Sequence, residues 1–351
     1  HLHLCKVWSL EKMDELAMGA YHGEGMGKAM SAIELARHVK RDLTLDGMIG
    51  NARKAAALAA LHGNLHIRAL ADVDSIAGVE GVKALIAVRD EFRGIVDIQV
   101  VAFPQDGIAK DPGTDALMRQ AMELGADVVG GIPWIEFSDR DAAAHISFCF
   151  DLAQQFDKDI SMLLDDAGDP TLKTLEMMAL EAIDRGWHGR ALAHHCRAMS
   201  QYPLPYFYRL AETLKAARVP IVSDPHTGPL HARVRELLEL GVLVSLGQDD
   251  ISDAYYPFGR NNMLEVAFLG SHLLWMTRRE EIERLYDLVT VDAARSINVP
   301  DFGLAVGNAA HLVVLDQPNE LEAIRYHSAP DYVISHGKIV DTDKMADIVA
   351  G

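Results

Sequence analysis

Residues 242–250 decide the fold, and they read Val242-Leu243-Val244-Ser245-Leu246-Gly247-Gln248-Asp249-Asp250. The first five are apolar or small, which is typical of a short buried strand. Gly247 ends that pattern, and two carboxylates follow almost at once. A parallel strand that runs into acids places them at the carboxyl edge of its sheet, where barrel and open α/β enzymes keep their chemistry. A polar loop carrying a solvated acid pair is the alternative that this stretch alone leaves open.

The bulk composition restricts the class of protein. A chain of 351 residues with 49% hydrophobic content suits one large domain, or a domain with a small appendage. The formal charge of −18, from 33 basic and 51 acidic residues, argues against nucleic acid or an anionic membrane as a partner. Three cysteines provide neither a disulfide framework nor a paired zinc motif, so we expect a reducing cytoplasm. We also expect no membrane span and no signal peptide.

Strand-like and helix-like segments alternate along most of the chain. Seven segments have strand character, at 65–71, 96–103, 127–132, 160–164, 190–194, 220–223 and 242–246. Helical segments separate them near 79–93, 113–124, 141–156, 171–185, 204–217 and 229–240, and two more precede them at 31–40 and 44–62. This alternation predicts a parallel sheet with right-handed crossovers. A repeat of roughly 30 residues favours an α/β fold of the (β/α)8 TIM-type barrel over an open sheet.

Seven strands leave the predicted barrel one short of closure. We expect the first strand to end at His1-Leu2-His3, with most of it upstream, which makes 242–246 the eighth. Beyond residue 260 the pattern predicts helices at 262–277, 279–287 and 290–296. Short strands follow at 311–315, 332–335 and 338–340, with a hairpin turn at His336-Gly337. We therefore predict a barrel domain at 1–300 and a small C-terminal β appendage at 301–351. Residues 11–30 contain four glycines and predict a long loop.

Two pairs of histidines have the spacing or the position of functional groups. His1 and His3 are two residues apart, so on a strand both imidazoles face the same way and can bind one metal ion. His194 and His195 end the predicted sixth strand, and because side chains alternate we expect one of them to face inward, as a ligand or general base. A tag remnant or frayed end for the first pair, and an ordinary core histidine for the second, are the open alternatives.

Polar side chains also follow three further strands. Asp249 is placed to bind a metal ion or to take a proton from a water molecule on it. Asp165 and Asp166 follow 160–164, where a helix-cap or turn role is equally open. Gln105 follows 96–103, and its amide offers a donor and an acceptor to a polar ring edge, unless it is an ordinary turn residue. Packing of the hydrophobic core does not require His, Asp or Gln at five strand ends. These polar residues together therefore predict an active site.

With these residues in place, the chain resembles the cytosine deaminase branch of the amidohydrolase superfamily, with the N-isopropylammelide isopropylaminohydrolases as neighbours. The resemblance covers nearly the whole chain. It is carried in order by His1-Leu2-His3, residues 100–107 (VVAFPQDG), residues 124–133 (LGADVVGGIP), residues 247–250 (GQDD) with 256–259 (YPFG), and residues 307–315 (GNAAHLVVL). The ordered set is much more specific than any one of these motifs.

The resemblance implies a role for each candidate residue. His1, His3 and Asp249 would hold one divalent metal ion, zinc or iron, and Asp249 would also handle the proton of the attacking water. His195 matches the histidine that orients or polarises this water and is a further candidate ligand. Asp166 matches the acid that shuttles protons. The substrate contacts would come from Gln105, Asp250, Phe103 and Tyr255.

The sequence departs from the family pattern at positions that matter. The fifth-strand histidine ligand falls on Leu163, which cannot bind a metal ion, and a second-strand pocket histidine falls on Leu70. The glutamate proton shuttle falls on Asp166, which is one methylene shorter, and the histidine before the catalytic aspartate is Gln248. Losing a protein ligand weakens a metal site unless His195 or an acid after the fifth strand replaces it.

Two functions fit these observations. The first is a metal-dependent hydrolase, a deaminase or amidohydrolase, that cleaves a C–N bond of a small cyclic amide or amidine such as a pyrimidine or triazine. The second is a metal-free degenerate barrel that binds a small heterocycle without turnover, which Leu163 motivates. The resemblance also implies a homo-oligomer, and the chain composition predicts a cytoplasmic protein without nucleic-acid or membrane partners.

Overall fold

The computed structural model describes residues 1–12, 36–37 and 39–351. Seven parallel strands form one sheet in chain order, so each strand pairs with the next one along the sequence. They are β1 (His66–Asp72), β2 (Asp97–Phe103), β3 (Val128–Gly131), β4 (Asp159–Leu164), β5 (Ala191–His195), β6 (Ile221–Ser223) and β7 (Val244–Leu246). Because all of them run the same way, their carboxyl ends meet at one edge of the sheet.

Helix α1 (Leu45–Leu61) precedes β1, and one helix follows each of the seven strands. These seven are α2 (Glu80–Glu91), α3 (Thr114–Glu123), α4 (Asp139–Phe156), α5 (Thr174–Asp184), α6 (Leu204–Ala217), α7 (Val234–Glu239) and α8 (Met263–Leu273). Thr44 caps α1 by accepting a hydrogen bond from Gly47 N at 3.2 Å, as its sequence position predicts. The alternating β/α pattern and the predicted strand order are confirmed.

The residues around Leu2 close the ring between the two end strands of the sheet. Leu2 N donates to Arg68 O at 3.2 Å, and Leu70 N donates to Leu2 O at 2.8 Å, which joins this segment to β1. On the other side, His3 N donates to Asp249 O at 2.8 Å and Asp249 N donates to His1 O at 2.9 Å. Leu2 thus forms parallel bridges to both neighbours, and the barrel predicted from the sequence is confirmed.

A cavity of about 360 Å³ is lined by residues of both end strands, among them His66 and Ile67 of β1 and Ser245 and Leu246 of β7.

The barrel interior is filled by alternating inward residues of the strands. Arg68 on β1 is 2% exposed, and its guanidinium crosses the interior to donate to Ser161 Oγ on β4 at 3.2 Å and to Ile297 O at 3.1 Å. Burial lowers the pKa of Arg68 to about 10, although Asp159 acts in the opposite direction. Nearer the carboxyl ends of the strands than Arg68, Leu70 belongs to an apolar cluster that includes Phe103 and Leu163.

The remaining residues form helices and a small second sheet. After α8 come α9 (Arg279–Leu288) and α10 (Val291–Ser296), then β8 (Leu312–Val314), β9 (Tyr332–Ser335) and β10 (Lys338–Ile339) in an antiparallel sheet. His336-Gly337 form the hairpin turn between β9 and β10, as predicted. Two helices were not predicted, α11 (Glu320–Tyr326) and α12 (Thr342–Ala350), and α12 packs against α1. The domain boundary at residue 300 stays a prediction.

Two predicted segments fall largely outside the described residues. These are the loop at 11–30 and the helix at 31–40, of which Leu10–Lys12 form a 3-10 helix and residues 36–37 and 39–40 are helical. Among the described residues, no helix has the combined length and apolar character that crossing a membrane requires.

Gly130 on β3 is a position where a side chain does not fit. A Cβ there would collide with the Ala102 carbonyl oxygen and lie 2.9 Å from Phe103 Cα, both on the backbone of β2. We expect Gly130→Ala to lower the free energy of unfolding by about 1–3 kcal/mol, as other overpacked cores do. The measurement is urea unfolding followed by circular dichroism.

Gly50 provides the matched control for that substitution. It is exposed within α1, and nothing lies within 4 Å of the position of its Cβ. Gly50→Ala should raise the free energy of unfolding by about 0.5–1 kcal/mol, because alanine loses less entropy in a helix. Equal effects of the two substitutions would contradict the close approach of β2 and β3.

Candidate active site

Four side chains from three separate parts of the chain meet at the carboxyl edge of the sheet. Asp249 Oδ1 lies 2.9 Å from His1 Nε2, 3.8 Å from His3 Nε2 and 4.0 Å from His195 Nε2. All four side chains are buried. Gly247 makes this possible, since a Cβ there would lie 2.9 Å from His1 Cβ. The convergence expected from the strand ends is therefore present.

The backbone is strained where these side chains leave their strands. Asp165, His195 and Asp249 have φ values of 49°, 64° and 69°, in the left-handed region that residues other than glycine rarely adopt. Each comes at or just after the end of a barrel strand. Such conformations persist where the surroundings hold them, and they are frequent at functional sites.

Both histidines of the His194-His195 pair lie against His1, which differs from our expectation that only one faces inward. The ring centroids of His194 and His195 are 4.4 Å and 5.0 Å from that of His1. The prediction assumed regular strand alternation, and the positive φ of His195 breaks it. His194 is fully buried, neither ring nitrogen has a hydrogen-bond partner, and burial lowers its pKa well below the ordinary value.

His195 is held by carboxylates on several sides. Its Nδ1 bonds Asp224 Oδ2 at 2.9 Å, which leaves Nε2 directed between Asp166 Oδ2 at 3.9 Å and Asp249. Burial alone would lower the pKa of His195, but Asp166, Asp224 and Asp249 together raise it to about 9. Before a cation enters, the imidazole therefore carries a proton at neutral pH and offsets part of the negative charge around it.

Arg197 provides the second positive charge of the site. Its Nε donates to Asp166 Oδ1 at 2.6 Å, and Nη2 donates to Asp224 Oδ2 at 3.1 Å and to Thr227 Oγ1 at 2.7 Å. Burial raises the pKa of Asp166 even though His195 and Arg197 act against it. The pKa of Asp224 is instead lowered, because His195 and Arg197 outweigh its burial.

The two acids after β4 have different surroundings. Asp165 accepts hydrogen bonds from Thr174 N at 2.8 Å, Thr174 Oγ1 at 2.6 Å and Tyr202 OH at 2.6 Å, so it anchors the start of α5. Asp166 lines the cavity beside His195. Of the two roles left open by the sequence, the cap belongs to Asp165.

Gln105 is tied to a buried lysine that the sequence analysis did not single out. Lys6 Nζ donates to Gln105 Oε1 at 2.7 Å and lies 3.7 Å from Asp72 Oδ1. Lys40 bridges Asp72 at 3.0 Å and Asp74 at 2.8 Å, which extends the network away from the cavity. Since its carbonyl oxygen accepts from Lys6, the amide group of Gln105 offers the cavity mainly its N–H donors.

The cavity at the barrel mouth is small and has a polar side. It encloses about 40 Å³, room for a few water molecules, and its lining includes His3, Gln105, Asp250 and Tyr255. Burial and the neighbouring carboxylates of Asp249 and Asp253 raise the pKa of Asp250 well above its ordinary value. A protonated Asp250 offers an O–H donor to a ligand.

The opposite side of the cavity is apolar. Leu163 lies there, 4% exposed, and packs in one cluster with Leu70, Phe103 and Trp134. Phe103 is fully buried behind His3, with ring centroids 5.5 Å apart, and the cavity wall is formed in front of it by Trp134 and Leu163. Leu70 and Leu163, where the family resemblance implies histidines, thus belong to a single apolar cluster, of which Leu163 reaches the cavity.

A buried pair holds the loops of this apolar side in place. Glu136 accepts from the backbone N–H of Ile108 at 2.6 Å and Lys110 at 3.0 Å, and it bonds His145 Nδ1 at 2.7 Å. His145 Nε2 in turn accepts from Ile132 N at 3.1 Å. Burial would raise the pKa of Glu136, but these bonds hold it below the usual range.

The donor atoms around Asp249 form two overlapping groups, each of which could hold a divalent ion. One potential ligand atom each from His1, His195 and Asp249 lies within 4.8 Å of the other two, and the same holds for His3, Asp249 and Asp250. Asp249 belongs to both groups, and its Oδ1 lies 2.9–4.0 Å from the three histidine nitrogens. His3 Nδ1 and His1 Nδ1 have no hydrogen-bond partner. Burial lowers the pKa of His3 well below its ordinary value, which keeps it in the neutral form that binds metals.

Sequence and structure comparisons define the family. The profile described as "Amidohydrolase family" matches residues 1–341. The chain belongs to the amidohydrolase family. This amidohydrolase is 28% identical over 291 residues to N-isopropylammelide isopropyl amidohydrolase of Pseudomonas sp. (strain ADP), covering 83% of this chain and 72% of that protein. The predicted family, and with it the enzyme class of a hydrolase acting on C–N bonds, is confirmed.

Solved structures show the same relationship. A 5-methylcytosine deaminase from Klebsiella pneumoniae, liganded with phosphonocytosine, superimposes with a TM-score of 0.88 at 31% identity, over 97% of the amidohydrolase described here and 84% of the deaminase. N-isopropylammelide isopropylaminohydrolase from Burkholderia multivorans gives a TM-score of 0.82 at 27% identity, with the same coverage. These relatives act on heterocyclic compounds, in agreement with the deaminase-like branch inferred from the motifs.

Sequence reasoning missed several residues of the amidohydrolase site. Asp224 directly follows β6 and carried the same strand-end signal as Asp249. Arg197 lies two residues beyond the end of β5 and Lys6 lies three beyond His3, and both are basic residues, whereas the strand-end signal was sought in His, Asp and Gln. Trp134 was not predicted because it is not one of the polar residues that mark the strand ends. The ion pairs of these residues depend on which loops meet across the barrel, which spacing does not reveal.

The raised pKa of His195 predicts how stability depends on pH. The imidazole binds its proton more tightly in the folded chain, at about 9, than at the ordinary value of 6.5. Its stabilising contribution is complete below pH 6.5 and is lost as pH rises to 9, by roughly 3 kcal/mol. We expect metal-free protein to lose stability across this interval in urea unfolding.

His195→Gln should flatten that pH dependence, while His272→Gln, at an exposed position on α8, should leave it intact. A slope that persists in His195→Gln would place its origin in another group.

Proposed function

We propose that this amidohydrolase cleaves a C–N bond of a small cyclic amide or amidine, such as a pyrimidine or triazine, with one divalent metal ion, zinc or iron. The observation that carries the proposal is the convergence of His1, His3 and His195 on Asp249 within 2.9–4.0 Å at the barrel mouth. The relatives named for 5-methylcytosine and N-isopropylammelide support this class of substrate.

The metal would be held by His1, His3 and Asp249, with His195 as a further candidate ligand. A divalent ion at this position supplies an acidified water molecule as nucleophile. The neighbouring carboxylates raise the pKa of His195. A bound cation would neutralise part of their charge, so the imidazole would lose its second proton more readily. His195 then orients or polarises the attacking water through Nε2, while Asp224 fixes the ring from the other side.

The proton steps would use two carboxylates. Asp249 accepts a proton from the attacking water as its oxygen bonds the ring carbon. Asp166, whose burial raises its pKa, donates a proton to the departing nitrogen as the C–N bond breaks. Arg197 holds Asp166 in position at 2.6 Å. As the carbonyl forms, the hydroxyl proton of the added oxygen would return to Asp166, and the proton on Asp249 would pass to the ring nitrogen. The products are the ring carbonyl compound and ammonia or an amine.

The substrate ring would be oriented between the polar and apolar sides of the cavity. Gln105 offers N–H donors to a ring oxygen or nitrogen, and Asp250 offers its O–H. Phe103 supports His3 from behind, and Tyr255 contributes an aromatic edge next to Lys6 Nζ, which lies 4.7 Å from its ring centroid. The small cavity favours a single small ring.

A second function is favoured by one observation, the presence of Leu163 at the position of a family ligand. With an apolar side chain there, the barrel would bind a small heterocycle without a metal ion and without turnover. Metal analysis of the purified protein distinguishes the two functions, since about one equivalent is expected for the hydrolase and none for the binding protein. An anomalous-scattering map would show whether the ion lies beside His1, His3 and Asp249.

Replacing Asp249 tests the catalytic proposal directly. We expect Asp249→Ala to abolish turnover of cytosine, 5-methylcytosine or N-isopropylammelide, whichever the wild type accepts, with a loss on the order of 10²–10⁴-fold or more. Release of ammonia or amine is the measurement. Asp184→Ala, an exposed acid on α5, is the control and should retain full activity. An unchanged rate in Asp249→Ala would remove this mechanism.

Restoring the missing ligand tests the metal site independently of turnover. Leu163→His adds an imidazole to the cavity wall, and we expect it to tighten zinc binding about tenfold or more in a chelator competition assay. Leu163→Gln adds a polar group that is a poor zinc ligand and serves as the control. If the two variants bind zinc equally, Leu163 does not face the metal position.

A further inference from the structure

A second group of histidines lies at the opposite end of the barrel. His66 and Asp97 are paired neighbours at the starts of β1 and β2. His311 immediately precedes β8, and His336 occupies the turn between β9 and β10. The four residues come from distant parts of the chain and join the barrel to the small sheet. We call them the His66 cluster.

Three of the four side chains of this cluster are close enough to share one ion, and His336 adjoins them through Asp97. One potential ligand atom each from His66, Asp97 and His311 lie within 4.8 Å of one another. His66 Nε2 is 3.4 Å from Asp97 Oδ2, and His336 Nε2 is 3.0 Å from the same oxygen. The His311 ring centroid is 4.7 Å from that of His66 and 4.4 Å from that of His336. All three imidazoles therefore surround a single carboxylate.

One ring nitrogen of the cluster makes no hydrogen bond to any of the described residues. His311 Nδ1 is buried and lacks a hydrogen-bond partner, which is costly for a polar atom unless a ligand satisfies it. Burial, together with the nearby His66 and His336, lowers the pKa of His311.

We propose that His66, Asp97, His311 and His336 form a second divalent-metal site, suited to zinc. Three imidazoles and one carboxylate are donors that zinc accepts in tetrahedral sites, and four protein ligands leave no position open for catalysis. The ion is structural, and it fastens the small sheet to the starts of β1 and β2. The site is independent of the one at the barrel mouth and does not rest on the proposed function.

Zinc titration of a His3→Gln/His195→Gln/Asp249→Ala variant isolates this site, because the variant lacks three of the four candidate ligands at the barrel mouth. After chelator treatment, we expect this variant to bind one equivalent of zinc by isothermal titration calorimetry, and cobalt to give visible d–d absorption typical of four ligands. Absence of zinc binding in this variant would overturn the proposal.

Single substitutions then identify the ligands. His311→Gln and, at the more exposed turn, His336→Gln should each weaken zinc binding by about 100-fold or more, since losing even an outer-shell partner costs about 10–100-fold. His272→Gln is the matched control and should change nothing. Circular dichroism confirms folding of each variant. Retention of tight zinc binding in both cluster variants would overturn the assignment.

Discussion

The active site depends on the hydrogen bonds by which residues 1–3 close the barrel. Leu2 bonds β1 through Arg68 and Leu70, while its neighbours bond Asp249 beyond β7. The same backbone that completes the ring therefore fixes the position of His1 and His3 relative to Asp249. Ligand spacing at the barrel mouth is set by strand pairing, which is stiffer than any loop.

Charge balance is the second constraint on the barrel mouth. Asp166, Asp224, Asp249 and Asp250 are buried close together, and burying carboxylates without compensation is expensive. Arg197 and a protonated His195 supply part of the positive charge. A divalent cation would supply the rest and would release His195 from its role as a counter-ion. The arrangement is thus electrostatically prepared for a metal ion.

The leucine at position 163 makes one wall of the cavity apolar. Leu70 and Leu163, where the family resemblance implies histidines, pack with Phe103 and Trp134, so this side of the barrel mouth is dry. A dry wall strengthens the electrostatic interactions opposite it, because the local dielectric constant falls.

Much of the architecture was predictable from local patterns. The alternation of strands and helices, the Thr44 cap, the His336-Gly337 turn and the polar strand ends follow from periodicity and turn chemistry. The helices α11 and α12 were missed because both are short, although Asn319 and Asp341 cap their first turns.

The sequence by itself determined that His and Asp side chains would gather at one edge of a parallel sheet, since parallel strands share the direction of their carboxyl ends. Only the tertiary structure decided their partners. The left-handed backbone at His195 placed both histidines beside His1, the division of roles between Asp165 and Asp166 followed from their surroundings, and Arg197, Asp224 and Lys6 joined the site across loops. These contacts depend on distances between remote segments, which no local pattern encodes.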